Sequence, residues 1–534
     1  MALSLLDDAV VRVAQPPMPA QGVSLPALLA LLADGADLNF LALRPHQQPA
    51  WHAFLVTLAF HCLEAAGTTE LPADADGWRA LMRGLTPEFP NDEPWCLVVD
   101  DWAQPAFLQS PCALEQHGDY KRQQSVQEID LLITSKNHDE KLGKIHRPAA
   151  VDADAVMYAL VSLQGFAAYG GRRLYNTMRM NGSSSSRPQF RLVFDRGVGA
   201  EFLRDLKALL AHAPSMWQDA AETRLDIGTR NAQRLLWLPA WGDQPLSLRD
   251  VHPWCLEVTR RIRLGVEGGR LHSFVAGSAN ARVNAKDRAG LVLDPWVPIN
   301  RKEAEPKALT VAQDSFSYSK LAPMLFDPKQ FELPALAQPS ADELRCASDA
   351  TLVAQVTVGG NCTTDGVIRR EVPMPMPVMR RRAASAHALA MRSQSFIDTA
   401  ASMQRDVLRR ALVQFFDGSD KPNWKSKEAE GAVKPWTAMF EHRVDDTFYA
   451  RLFESVSNDW LDAQAQTAWF AVLKPMAEDI FLAAVEAMPC AAASRLMARG
   501  RAQRSFDSAL RKHFGGLMQS APELSFEDHD DTAH

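Results

Sequence analysis

Three prolines at alternate positions, Pro373, Pro375 and Pro377, divide this chain into two parts of different character. Proline fixes φ and lacks an N–H, so neither a helix nor a central strand is expected to run through the repeat. A stiff extended linker is predicted over 373–382. Beyond it, apolar residues recur at helical spacing, as in Phe396, Ala400, Met403, Val407 and Ala411, or Phe440, Val444, Phe448 and Leu452. The spacing predicts helices over 383–417, 435–456, 459–487 (kinked at Pro475) and 491–514. Together they make a four-helix bundle over 383–516. An acidic tail, 517–534, is predicted to be disordered.

The part before the prolines, 1–372, is mixed. Leu25, Leu28, Leu29 and Leu32, then 51–66 after a Pro-rich break, predict two packed helices. Further helices are predicted over 152–166 and 199–212. Strands are predicted near 96–99, from Leu131 onward, and at 234–238, 274–276, 291–293 and 352–358. The fold class that follows is α+β: a large mixed α/β N-terminal domain and a C-terminal four-helix bundle.

Of the 534 residues, 57 are Lys or Arg and 64 are Asp or Glu, a net charge of −7. A protein that coats nucleic acid with its whole surface is therefore not expected, and any polyanion site must be local. The seven cysteines form no Cys-x-x-Cys pair and read as reduced thiols, so neither a zinc ribbon nor a redox dithiol is indicated. No secretory signal and no apolar run of roughly 18 residues is found, which points to the cytoplasm and away from membranes.

The sequence carries no phosphate-binding Gly-x-x-x-x-Gly-Lys motif, no His-Glu-x-x-His and no Gly-x-Ser-x-Gly. Lys136, Asn137, His138 and Asp139 form a polar loop. One His beside an Asp lacks the second ligand cluster that phosphodiester hydrolysis needs, so a contact loop is the simpler reading. His46, His52 and His61 do not share one helical face, and capping or half-buried roles suit them better than metal binding.

Positive charge concentrates in two places. Between Ala167 and Arg196, six arginines (Arg172, Arg173, Arg179, Arg187, Arg191, Arg196) face one acid, Asp195, a local charge of about +5. Glycines and serines lie among them, and backbone free of side chains can approach a minor groove about 6 Å wide. In the bundle, Arg405 and Arg409 stand four apart, and the last helix carries Arg495, Arg499, Arg501, Arg504, Arg511 and Lys512. Each cluster also admits a plain reading as solvated surface.

The order of these features resembles the large subunit of the type I-E CRISPR Cascade complex, the CasA family. The resemblance rests on Val23-Ser-Leu-Pro-Ala-Leu-Leu before paired helices, and on Tyr169-Gly170-Gly171 followed by Arg179-Met-Asn181-Gly182 and Ser186-Arg187-Pro188. It also includes Gly359-Gly360 ahead of Arg369-Arg370, and the closing bundle. It implies a non-catalytic protein without cofactor or metal. Such a protein recognises the protospacer-adjacent motif (PAM) in double-stranded target DNA and starts strand separation for a guide RNA held by other Cascade subunits, with a helicase-nuclease as a further partner.

By the same resemblance, Ala168, Tyr169, Gly170 and Gly171 form the minor-groove loop, and Arg301 and Lys302 after Asn300 form a basic finger. Thr363, Thr364, Asp365 and Gly366 form a wedge, and Lys136, Asn137, His138 and Lys141 touch the guide and neighbouring subunits. Arg172, Arg173, Arg179, Arg405, Arg409, Arg495 and Arg499 are the expected contacts to the DNA backbone. Two departures stand out. Only Cys255 lies where some relatives carry a cysteine zinc cluster, and Asp365 replaces an amide in the wedge. The alternatives are a metal-dependent nuclease using His138, and a structural scaffold that never meets duplex DNA.

Overall fold

The computed structural model describes residues 3–123, 125–131, 151–182, 186–222, 227–311, 314–346, 348–359, 364–490 and 495–520. Lys136, Asn137, His138, Lys141 and Thr363 lie outside them. The chain divides into two compact units, one of Met1–Phe316 with Lys329–Pro373 and one of Ser317–Pro328 with Met374–His534.

The first unit is built around a helix that is apolar nearly all round. Helix α2 (Gln48–Ala66) buries thirteen residues, including Trp51, Phe54, Leu58 and Phe60, which a helix can do only when neighbours cover every side. Those neighbours include α3 (Ala75–Gly84), α4 (Ala153–Phe166) and α5 (Val198–Glu222). Local chemistry sets the ends. The Ser24 hydroxyl caps α1 (Leu25–Ala33) by accepting from the Ala27 N–H, Asp74 caps α3 through the Gly77 N–H, and Gly67 in the left-handed region closes α2.

Among the described residues, five small sheets surround this core. β1 (Val11–Ala14) lies between β2 (Gln21–Val23) and β3 (Asn39–Phe40). A second sheet joins β4 (Lys121–Arg122) to the hairpin of β8 (Arg261–Glu267) and β9 (Arg270–Ala276). β6 (Gln233–Leu235) runs parallel to β7 (Val251–Leu256). β10 (Ile299–Asn300) pairs with both β11 (Lys307–Ala308) and β12 (Phe331–Glu332). The last sheet has the order β14 (Thr364–Met374), β13 (Ala350–Gly359), β5 (Gln189–Val193).

Several expectations are corrected. Cys96 makes only an isolated bridge to Ser4. The 291–293 run is irregular because Ala289 and Leu293 take positive φ around it, which breaks the pleat. The 373–382 segment is not a linker. Strand β14 continues through Pro373, and Pro377 falls in the first turn of α8 (Met376–Ser402), where a missing N–H costs nothing.

The second unit holds α6 (Tyr318–Phe326), which follows a separate stretch of sequence, and the long helices. The first of these is composite: α8 breaks at Ser385, winds as a π-segment over Met403–Leu408, and continues as α9 (Arg409–Asp417). It packs with α10 (Lys427–Ser457), α11 (Asp462–Ala487) and α12 (Arg495–Ser520). Helix α11 runs through Pro475, and α12 extends four residues past the end expected for the bundle. Phe396 stacks on Trp469 at 5.2 Å between ring centres, and the Trp469 indole donates to the Phe396 carbonyl at 3.0 Å. Among the described residues no helix is long and apolar enough to cross a membrane. A short helix, α7 (Ala341–Arg345), belongs to the first unit and carries a Ser340–Glu343 capping box.

Candidate nucleic-acid interface

The glycine loop leaves the end of α4 and reverses at once. Gly170 donates to the Leu174 carbonyl at 2.9 Å and Leu174 to the Gly171 carbonyl at 3.0 Å, so Arg172 and Arg173 form the tip of a tight turn. Gly171 (φ +116°) and Arg173 (φ +72°) supply the left-handed steps that such a reversal requires. Both arginines at the tip are exposed. The Arg173 carbonyl accepts from the Ser278 N–H at 2.9 Å, tying the turn to the segment after β9.

The expected local charge of about +5 is not displayed on the surface. Arg179 is 3% exposed: it donates to Glu257 at 2.6 Å and to the carbonyls of Pro253 and Cys255, and its Nε lies 3.4 Å from Asp294. Arg187 holds Asp294 at 2.8 Å and the Gly165 carbonyl at 3.2 Å, and lies over the Phe166 ring. Arg191 pairs with Glu201 and Asp205, and Arg196 with Glu371. Arg179 is therefore a buried strut and not a contact to the DNA backbone. Burial alone would lower its pKa, but Cys255, Glu257 and Asp294 outweigh that and raise it. The Met178 N–H donates to Glu257 at 2.7 Å, so the chain leaving the loop is fixed to the same cluster.

That cluster leads to the finger. Asn181 donates to the Ala308 carbonyl at 2.7 Å, and Ser186 and Thr310 bond across the same seam. The segment after the glycine loop therefore braces β11, the return strand of the 299–308 hairpin. Residues 301–306 at the hairpin's end are all exposed. Arg301 pairs with Glu332, Lys307 with Glu303 at 2.6 Å, and the Lys302 ammonium lies 4.8 Å from the Phe331 ring centre. With Glu303, Glu305 and Glu332 facing Arg301, Lys302 and Lys307, the finger is balanced in charge. Lys302 is its one cation held by an aromatic ring instead of a carboxylate.

Thr364, Asp365 and Gly366 open β14 at the end of the β13–β14 pair, with Gly366 at φ +121°. In the second unit, Arg499, Arg504, Arg511 and Lys512 are exposed along α12. Arg495 instead donates to the carbonyls of Val485, Glu486 and Met488 and lies over Phe415, so it caps α11 and is withdrawn from the expected set of backbone contacts. Arg405 pairs with Asp406 while remaining largely exposed.

The histidines have separate partners. His46 meets Asp130 at 2.8 Å, His52 meets Asp205 at 2.8 Å, and His61 bonds the Trp254 carbonyl at 3.0 Å. His61, Glu64 and His252 lie together in the core. His252 accepts the Trp254 N–H on Nδ1, so its Nε2 carries the proton given to Glu64 at 3.0 Å and offers no lone pair to a cation. Arg234 at 3.4 Å from Glu64 opposes a cation further. Among the described residues the trio is joined by the His252–Glu64 bond, while His61 is turned to the Trp254 carbonyl.

Sequence reasoning missed Glu257 and Asp294, which hold the arginine cluster, and Arg260 beneath the loop. The pairing partners stand dozens of residues away in the chain and carry no local signal.

The family model described as CRISPR-associated protein Cse1 matches residues 19–480. No curated protein matches. Among solved structures, Cse1 from Acidimicrobium ferrooxidans is similar with a TM-score of 0.64 at 14% identity, covering 98% of this chain and 99% of that one. CasA (Cse1) from Thermus thermophilus gives 0.63 at 14% identity, over 96% and 99%. A chain of a CRISPR RNA-guided surveillance complex gives 0.55 at 11% identity, over 95% and 99%.

Proposed function

Because this chain belongs to the Cse1 family of CRISPR-associated proteins, we propose that it is the non-catalytic large subunit of a type I-E-like Cascade complex. In this reading it recognises the PAM in duplex DNA and begins R-loop formation. Its partners are the guide RNA, the other subunits and target DNA, with a helicase-nuclease recruited or licensed by the assembled complex.

The observation that carries this reading is the turn at Gly170–Leu174, a backbone reversal with two exposed arginines at its tip, standing on a buried and rigid base. Such a turn enters a minor groove with its main chain while its arginines meet the flanking phosphates. Lys302, released from Phe331, offers a long cationic arm of the kind minor grooves attract. Thr364, Asp365 and Gly366 at the start of β14 serve as the wedge. Separating a base-pair step costs about 1.4 kcal/mol of stacking and the guide heteroduplex returns a similar amount, so holding open one or two steps is enough to start. Exposed Arg172, Arg173, Arg405 and Arg499, with half-buried Arg409, serve as backbone contacts of no sequence preference.

The test is capture of short duplexes by the assembled complex with and without this chain. Motif-dependent capture should vanish without it. Equal capture would end the proposal, and metal-dependent cleavage by the purified chain, abolished by His138→Ala, would replace it with the nuclease reading.

A further inference from the structure

A guanidinium that none of these roles uses lies directly under the glycine turn. Arg260 is 7% exposed, at the connection between β7 and β8. Its Nη2 donates to the Ala168 carbonyl at 2.6 Å and its Nη1 to the Tyr175 carbonyl. Ala168 and Tyr175 are the two stems of the loop, one on each side of Gly170–Leu174. A single planar fork therefore bonds both ends of the same exposed turn.

The fork is itself anchored. The Arg260 N–H donates to Gln164 Oε1 at 2.8 Å and its carbonyl accepts from Gln164 Nε2 at 3.0 Å, which fixes its main chain to the last turns of α4. A methyl group added at Gly170 would stand 3.4 Å from Arg260 Nη2 and 3.3 Å from Leu174, so the glycine lies against the guanidinium itself.

Among the described residues Arg260 has no carboxylate partner, unlike Arg179, Arg187 and Arg191. Burial pulls its pKa down to about 10, which still leaves it charged at neutral pH. Arg263 and Arg282 are also buried against carbonyls, each over a tryptophan ring, but their acceptors belong to segments 104–110 and 236–240. Of these three guanidiniums, Arg260 is the one whose bonds span the two stems of the candidate loop.

We propose that Arg260 is the positioning residue of the 168–175 loop, clamping its two stems together and holding an unneutralised positive charge beneath the turn that enters the groove. The clamp stands on geometry alone, while its effect on DNA rests on the function proposed above. Two readouts separate the two.

The first is tryptic cleavage after Arg172 and Arg173 in the full chain, followed by mass spectrometry. Losing a bond to a charged donor should raise the open population of the turn, and so the cleavage rate there, about tenfold or more in Arg260→Gln. Arg260→Lys, with one point-like ammonium for two acceptors, should fall between. Arg263→Lys is the control: equally buried, it should leave cleavage at the turn unchanged. The second readout is the preference of the assembled complex for a duplex carrying the motif over one with the motif scrambled. It should fall about tenfold in Arg260→Gln and less in Arg260→Lys. If Arg260→Gln fails to fold, Arg260→Lys carries both readouts. Cleavage no faster than in the unaltered chain, in a variant with unchanged circular dichroism, overturns the clamp. A loosened turn with full motif preference overturns its part in DNA reading and leaves the clamp.

Discussion

Arg179→Met decides whether Arg179 is a buried strut or a surface contact. The change keeps the aliphatic stem and removes the guanidinium. Glu257 then stays buried with only the Met178 N–H at 2.7 Å, having lost its 2.6 Å partner. Asp294 fares better, keeping Arg187 at 2.8 Å and the Trp296 N–H at 3.1 Å. The Pro253 and Cys255 carbonyls each lose a donor. Removing one partner of a buried pair costs about 3–5 kcal/mol, and stranded carbonyls add on the order of 1 kcal/mol each. Proton uptake by Glu257 limits the total to about 4 kcal/mol, a fall in melting temperature of about 5–10 °C.

The pH dependence has a definite sign. Burial already raises the Glu257 pKa against the pull of Arg179, and without Arg179 it rises further. A carboxyl with its folded pKa above its unfolded value binds more protons when folded, so stability grows as pH falls through the folded pKa toward the unfolded one. Calorimetry near about pH 8 and about pH 5.5 should show the variant's deficit shrinking at the lower pH. A variant that melts with the unaltered chain yet binds duplex more weakly would refute the reasoning and return Arg179 to the DNA backbone.

Three further outcomes are expected. Gly171→Ala places a side chain at φ +116°, with strain of about 1–3 kcal/mol, and should weaken motif-dependent binding in mobility shifts while melting is little changed; unaltered binding would count against this backbone entering a groove. Lys302→Ala should weaken motif-dependent binding and lower the salt slope by about one, and an unchanged slope would remove Lys302 from the phosphate contacts. Acid should destabilise the first unit through His61, whose pKa is driven well down by burial and then by nearby His252, Arg234 and Arg179, against the Trp254 carbonyl. A base with a depressed folded pKa binds more protons unfolded, so stability falls below about pH 6.5 by up to about 1.4 kcal/mol per unit. In urea titrations His61→Gln should flatten that decline, and an equal slope would exclude the residue as its source.

Where local pattern determines the outcome, the sequence was readable. The apolar run of α2, the bundle helices and the break after Phe166 all follow from spacing, Gly and Pro. The β8–β9 hairpin was also signalled, by alternating residues on both sides of Gly268 and Gly269, whose positive φ values suit a two-residue turn, but it was read only as its last three residues. The arginine cluster was misread for a different reason. Counting charge along the chain assumes that neighbours in sequence are the ones that matter, whereas Arg179 is neutralised from 78 residues away and Arg187 from 107. Arg260 gave no signal, because what makes it a clamp is two carbonyls supplied by another segment.

The π-wound stretch over Met403–Leu408 is one residue wider per turn than the helix on either side of it. It undoes the simple i, i+4 stacking of Arg405 over Arg409 and sets the residues of α9 at a new azimuth about the helix axis. Since one residue of α-helix subtends about 100°, the wide stretch takes up the winding of about one extra residue, and a single-codon deletion here would let regular winding resume with Leu412 and Phe415 still on their buried side. The same deletion within regular winding would turn everything beyond it by about 100° about the axis, so Met403–Leu408 is the place in this helix where its length can change by one residue while its arginines and its buried side keep their directions.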